Sequence, residues 1–424
     1  MTVNKSLHKA VLRSVFTASA LFIAASTNTA LGYVGLDSAY TGVEYDSVMQ
    51  APTDLSEDIR FSFTPSIGLS ATYDDNIYRT EIDENSAMIY KVLPVLEASG
   101  LKNRTTYKLG YRGNYGFYSG GPNDELDDYM NHVGYAGVYH TGSKTSSSLY
   151  GDYQRGHTPK GADNQDEKDE WNQGSVIGKI DMGELDDLFR LRLTGLAKNR
   201  EYDYNKANDL DNKGVGAVLG VRIGPKTRLV LDGGYVRFDY PNSNRDADRN
   251  YLRAGVTWQA SAKTTGFFSY GKEEYRPDDS GQSVESDETG TAQGFVEDND
   301  SSTWKGVLTW LPRNRDSITL ETSRRTAEGF GIGSNRVATR SFISWGHTWS
   351  ERISSTASYR FGNDDYIGAP RNDDIENVYL GLGYIFKRNH IIRGYWNHEN
   401  RDSNIPLESY DQNRYTLLYG YSYQ

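Results

Sequence analysis

From Arg60 to the end of the chain, apolar and polar residues alternate in short segments separated by turn-forming residues. In the first segment Phe61, Phe63, Pro65, Ile67, Leu69, Ala71 and Tyr73 fall on one side, and Ser62, Thr64, Ser66, Gly68, Ser70 and Thr72 on the other. A period of two places one apolar and one polar face on an extended strand. The pattern recurs in Tyr107, Leu109, Tyr111, Tyr115 and Phe117, in Val378 to Phe386, and in Tyr415, Leu417, Tyr419, Tyr421 and Tyr423. Counting every such segment predicts about eighteen strands, an even number within the range of bacterial single-chain barrels. The predicted spans are 60–73, 86–99, 104–118, 128–141, 144–157, 170–182, 187–202, 212–224, 226–240, 249–261, 263–276, 302–312, 315–328, 337–350, 353–366, 374–387, 389–401 and 411–423.

The connections alternate between short and long along the chain. Gly224-Pro225-Lys226, Ser261-Ala262-Lys263 and Lys387-Arg388-Asn389 fit tight hairpin turns, whereas Pro159 to Glu170, Pro277 to Ser301 and Arg401 to Asp411 are long. An up-and-down transmembrane barrel has this sidedness, with short periplasmic turns and longer extracellular loops. The expected fold is therefore all-β: a transmembrane antiparallel up-and-down barrel occupying residues 60–424. An even strand number puts both of its ends in the periplasm.

The N-terminus reads as an address. Lys5, Lys9 and Arg13 precede an apolar stretch from Val15 to Ala25 and small residues ending Ala30-Leu31-Gly32, the layout of a secretory signal peptide over 1–32 cleaved after Gly32, with Ala30 less favoured. Residues 33–59, rich in Asp, Ser and Gly without a clean period, are expected to form a periplasmic extension. Localisation in the bacterial outer membrane follows.

Composition agrees with a membrane span built of strands. Hydrophobic residues are only 37% of the chain, and strands that expose alternate residues to lipid keep the others polar. The 32 tyrosines suit membrane interfaces, where an apolar ring and a wet hydroxyl are both accommodated. No cysteine is present, so disulfides and thiolate metal sites are excluded. A net charge of -11 argues against a nucleic-acid partner.

The stretch Phe63 to Tyr78, and within it Tyr73-Asp74-Asp75-Asn76-Ile77-Tyr78, resembles the opening strand and first loop of the putative β-barrel porin 2 family, outer-membrane proteins associated with exopolysaccharide and capsule biosynthesis. The resemblance implies a porin-like channel supporting export of an acidic exopolysaccharide. The implied partners are outer-membrane lipid and lipopolysaccharide, the polysaccharide itself and periplasmic export machinery. The same barrel also suits a diffusion porin for small sugars or anions, or a plugged structural or adhesive surface protein. Oligomeric state is not legible. The family supplies no catalytic motif. The C-terminal alternation of Tyr419, Tyr421 and Tyr423 is followed by Gln424, where such barrels usually end on an aromatic residue.

If the apolar alternates face lipid, the others line a lumen, and barrels of about 16 to 18 strands are wide enough for an aqueous channel. Lys108, Arg112, Lys179, Arg190, Arg192, Arg253, Arg340, Arg360, Arg393 and Arg414 are the predicted basic lining; Glu97, Asp152, Asp232 and Glu321 are fewer acidic counterparts. Such a wall concentrates anionic solutes, unless its cations merely pair with lumen carboxylates. Tyr118 and Tyr379 are candidates for stacking on sugar rings. The connection after Pro277 carries Asp278, Asp279, Glu285, Asp287, Glu288, Glu297, Asp298 and Asp300 without an intervening Lys or Arg, and reads as a solvated loop without calcium-site spacing. Neither a Gly-x-Ser-x-Gly elbow, a His-Glu-x-x-His zinc site nor a phosphate loop occurs, so no enzyme, metal or cofactor is predicted.

Overall fold

The computed structural model describes residues 61–158, 168–184, 186–283, 295–328 and 335–423. The predicted signal peptide and N-terminal extension, together with Glu285, Asp287 and Glu288, lie outside the described residues. The chain forms strands β1 (Phe61–Asp74), β2 (Ala87–Lys102), β3 (Thr105–Ser119), β4 (Tyr129–Thr141), β5 (Thr145–Thr158), β6 (Asp169–Met182), β7 (Phe189–Tyr202), β8 (Leu210–Gly224) and β9 (Thr227–Asp239). They continue as β10 (Ala247–Ser261), β11 (Thr264–Pro277), β12 (Asn299–Trp310), β13 (Asp316–Glu328), β14 (Asn335–Thr348), β15 (Ile353–Ile367), β16 (Asn372–Lys387), β17 (His390–Ser403) and β18 (Tyr410–Ser422). A single helical turn α1 (Asp124–Asp127) and a 3-10 turn at Lys206–Asn208 decorate the long-loop end.

Each strand pairs antiparallel with its neighbours in sequence, and β1 pairs with β18, closing an 18-stranded sheet. Closure removes both sheet edges, so the backbone is satisfied inside a bilayer. The predicted barrel and strand number are thus borne out, with every strand end within three residues of its predicted place. Carrying the register around all the ladders returns to β1 displaced by about 22 residues. With a rise of about 3.3 Å per residue and strands about 4.8 Å apart, that stagger tilts the strands by about 40° and gives a backbone wall about 36 Å across.

The outer face carries the apolar alternates. Leu69, Leu109, Leu149, Val176, Leu219, Leu252, Leu380 and Leu417 are exposed there, banded by Tyr73, Phe361 and Tyr415 toward the long loops and by Phe61, Phe189, Trp310 and Trp349 toward the short turns. Exposed apolar surface in this arrangement is the lipid contact of a transmembrane barrel. Inside, β3 meets β4 through two glycines that receive tyrosine rings. A Cβ on Gly110 would stand 2.1 Å from Tyr135, and one on Gly116 would stand 2.4 Å from Tyr129, so only glycine lets those rings lie flat on the wall.

One seam departs from regular pairing. The β12–β13 ladder runs only from Trp304 opposite Arg324 to Trp310 opposite Ile318. Beyond it the backbone N–H of Thr326 donates to Glu273 at 2.5 Å, and its carbonyl accepts from Nη1 of Arg249 at 2.8 Å. Inward side chains of β10 and β11 thus satisfy backbone groups that a strand neighbour satisfies elsewhere.

Candidate pore lining

Register partners in an antiparallel sheet share a face, so the inward set follows strand by strand from Ser62, Ser66, Ser70 and Thr72 of β1. All ten basic residues singled out from the sequence share that face, as do Glu97, Asp152, Asp232, Glu321, Tyr118 and Tyr379. The register adds cations that were not singled out: Lys91, Lys198, Arg200, Arg222, Arg228, Arg249, Lys305, Arg325, Arg336 and Arg401. It also adds the carboxylates Asp74, Asp169, Asp181, Glu273, Asp364, Asp373 and Glu399. The strand parity already used for their neighbours would have found most of them. Lys91 is harder, because Ala87, Ile89, Leu93 and Val95 share its face and leave β2 apolar on both sides.

These charges form local pairs. Arg253 donates to Asp232 through Nη2 at 2.7 Å and Nε at 3.2 Å, and its guanidinium lies 4.4 Å above the Tyr251 ring. Arg112 bonds Glu97 at 2.8 Å, and the Tyr135 hydroxyl donates to the same carboxylate. Arg192 donates to Asp181 at 2.8 Å, and Ser175 to Asp152. On β14 both Arg340 and Arg336 face Asp364, at 2.6 and 3.4 Å. Pairing of cations with lumen carboxylates, the alternative reading, therefore describes several of them. Among the described residues the inward strand positions hold about twenty Lys and Arg against eleven carboxylates, so the wall itself carries net positive charge.

Carboxylates gather toward the long-loop rim, where they tie loops to wall. Arg371, just before β16, is fully buried and meets Asp373 at 2.8 Å and Glu408 at 3.1 Å, joining the β15–β16 and β17–β18 connections. Burial alone would lower its pKa, but the hydrogen bonds it donates to Asp373 and the nearby Glu408 raise it instead. Arg79, in the β1–β2 loop, behaves likewise: desolvation is the largest single effect and opposes its charge, but Glu399 at 3.8 Å, Tyr410 and Asp74 together outweigh it, so its pKa is raised. Gln412 donates to Asp74 and to the carbonyl of Asn76, closing β18 onto the first loop.

The tyrosine candidates are partly engaged. Tyr379 is 7% exposed and packs against Tyr395 at 5.5 Å between ring centres, leaving little ring for a sugar. Tyr118 meets Tyr129 edge-on at 6.3 Å. The acidic loop is more ordered at its ends than a free solvated loop: Arg237 clamps Asp278 at 2.6 Å, Arg276 holds Asp300 at 2.6 Å, and Asn299 and Asp300 belong to β12. Among the described residues no group of three or more His, Asp or Glu side chains could hold a metal ion. The histidines sit mostly beside aromatic rings, His347 between Trp345 and Trp349 and His398 beside Trp396.

A family model described as putative beta-barrel porin 2 matches residues 60–218 and 235–418, most of the barrel. The chain belongs to that family. Its channel-forming fold and outer-membrane setting are therefore those of a porin-like barrel. Solved structures of similar shape include Pseudomonas aeruginosa OccK1 (OpdK), at 12% identity and a TM-score of 0.46, covering 85% of this chain and 99% of that one. P. aeruginosa OccK2 (OpdF), solved in complex with glucuronate, gives 12% identity, a TM-score of 0.47, and coverage of 86% and 99%. P. aeruginosa OccK3 (OpdO) gives 14%, 0.43, 89% and 98%. No curated protein matches the chain.

Proposed function

We propose that the barrel is a passive outer-membrane channel for small anionic solutes. The observation that carries this reading is the net positive charge of the described inward strand positions, where Lys and Arg outnumber carboxylates by about twenty to eleven around the circumference. In a confined passage flanked by a low-dielectric wall, such a surplus raises the local anion concentration and speeds entry. Membership of a porin family supports a diffusion role. The family match names no polysaccharide, so the expectation of exopolysaccharide export gains nothing from it, and a small-solute pore accounts for the same wall with fewer assumptions.

Planar-bilayer recording tests the reading. In a tenfold KCl gradient an ideally selective pore reverses near about 59 mV, and the wild-type barrel should reverse on the anion side of zero. Replacing Lys108, Arg360 and Arg393 together by Gln should move the reversal potential toward the cation side. A cation-selective wild type, or a triple variant with unaltered selectivity, would remove the basic-wall argument; an absence of current would favour a plugged barrel.

A further inference from the structure

The two rims of the barrel differ in charge. Seven of the eight short connections place an exposed Lys or Arg at the rim: Arg104, Lys144, Lys226, Lys263, Arg313, Arg352 and Arg388. The exception is the β6–β7 turn, with Glu184, Asp186 and Asp187. Just inside the same mouth, Arg222 of β8 lies directly opposite Arg228 of β9, with Arg190 of β7 within electrostatic reach of Arg228. Like charges placed opposite each other on one sheet face are destabilising. Arg228 is anchored through the carbonyls of Gly220 and Asp187, which keeps its charge at the mouth.

The chain enters the barrel at this rim, because β1 begins at the short-turn end. Residues 33–59, immediately upstream, contain Asp37, Glu44, Asp46, Asp54, Glu57 and Asp58 and no Lys, Arg or His. We propose that this acidic segment docks on the cationic short-turn rim of its own barrel and competes there with anionic solutes. Length permits it: about 27 residues reach up to about 90 Å when extended, against a wall about 36 Å across. Tethering also gives the segment an effective concentration in the millimolar range at the rim, an advantage that a free acidic protein lacks. The binding is electrostatic and should weaken as salt shortens the screening length to about 3 Å at 1 M.

The absence of cysteine makes disulfide trapping clean. In the full-length chain assembled in outer membranes, Ser47→Cys combined with Lys144→Cys should cross-link on mild oxidation. Ser47→Cys with Asp83→Cys, at the opposite rim, supplies the background. Replacing the six carboxylates by Asn and Gln, or oxidising in 1 M salt, should lower the Lys144→Cys yield at least fivefold. A yield at background, as expected if lipid headgroups cover the rim, or one indifferent to both neutralisation and salt, overturns the proposal. The readout needs no current through the pore, so it stands or falls separately from the transport reading.

Discussion

The Asp232 and Arg253 pair offers the most direct test of how the wall is held. Arg253 is 2% exposed, and Asp232 accepts two of its N–H groups at 2.7 and 3.2 Å while lying at hydrogen-bond distance from the Tyr251 hydroxyl. In Asp232→Asn the guanidinium stays buried and loses the carboxylate that compensates its desolvation. Breaking a buried pair from one side costs about 3–5 kcal/mol, since the remaining charge has no equal partner. The double variant Asp232→Leu with Arg253→Met removes both charges and should lie within about 1.5 kcal/mol of wild type. Reversible urea unfolding in lipid vesicles, followed by tryptophan fluorescence, measures both. The single change also raises the net positive charge of the lumen, so Asp232→Asn should be less stable yet more anion-selective. A cost below about 1 kcal/mol for Asp232→Asn, or a double variant as unstable as the single, would refute the view that the pair is a buried, mutually dependent ion pair.

Other consequences can be read from the same wall. Gly110→Leu should displace Tyr135 and its bond to Glu97, costing about 1–3 kcal/mol as overpacking does, with lost near-ultraviolet dichroism as the check. Arg371→Ala leaves the buried Asp373 with the Ser403 hydroxyl and Arg401 at 4.0 Å, unties Glu408, and should make the β15–β16 and β17–β18 loops cleavable by external protease on intact cells while the barrel stays folded. The Asp278 carboxyl is held below its ordinary range by the hydrogen bonds it accepts from Arg237. A depressed folded-state pKa contributes stability above the unfolded value and loses it as pH falls through the folded one. The clamp should therefore survive acidification from pH 7 to about 4 and weaken only below that. Because the pair is exposed, Asp278→Asn should change global stability by less than about 1 kcal/mol, measured by the same urea titration.

Much of the barrel was legible because lipid outside and water inside impose a period of two, as in the serines of β1 facing Phe63 and Leu69 across the backbone. Where one condition lapses, legibility lapses with it. The inward face of β2 is apolar, so Lys91 carries no alternation signal. Asn299 and Asp300 read as loop because their charge density matches the acidic stretch before them, although backbone pairing with Tyr275 and Glu274 places them in β12. The Arg371, Asp373 and Glu408 cluster joins residues of two connections, and sequence spacing gives no hint of that meeting. Strand parity assigns a face to each lumen cation, but which of them meet carboxylates depends on the stagger between strands, which only the closed sheet defines.

The seam between β12 and β13 changes what kind of information holds the wall together. Along the other ladders the bonds come from backbone atoms that every residue except proline supplies, so the wall tolerates almost any exchange of side chains. At Thr326 two of those bonds are delegated to Arg249 and Glu273, and there identity matters. Drift in sequence that would pass unnoticed around the rest of the circumference would at this place open a slit between neighbouring staves.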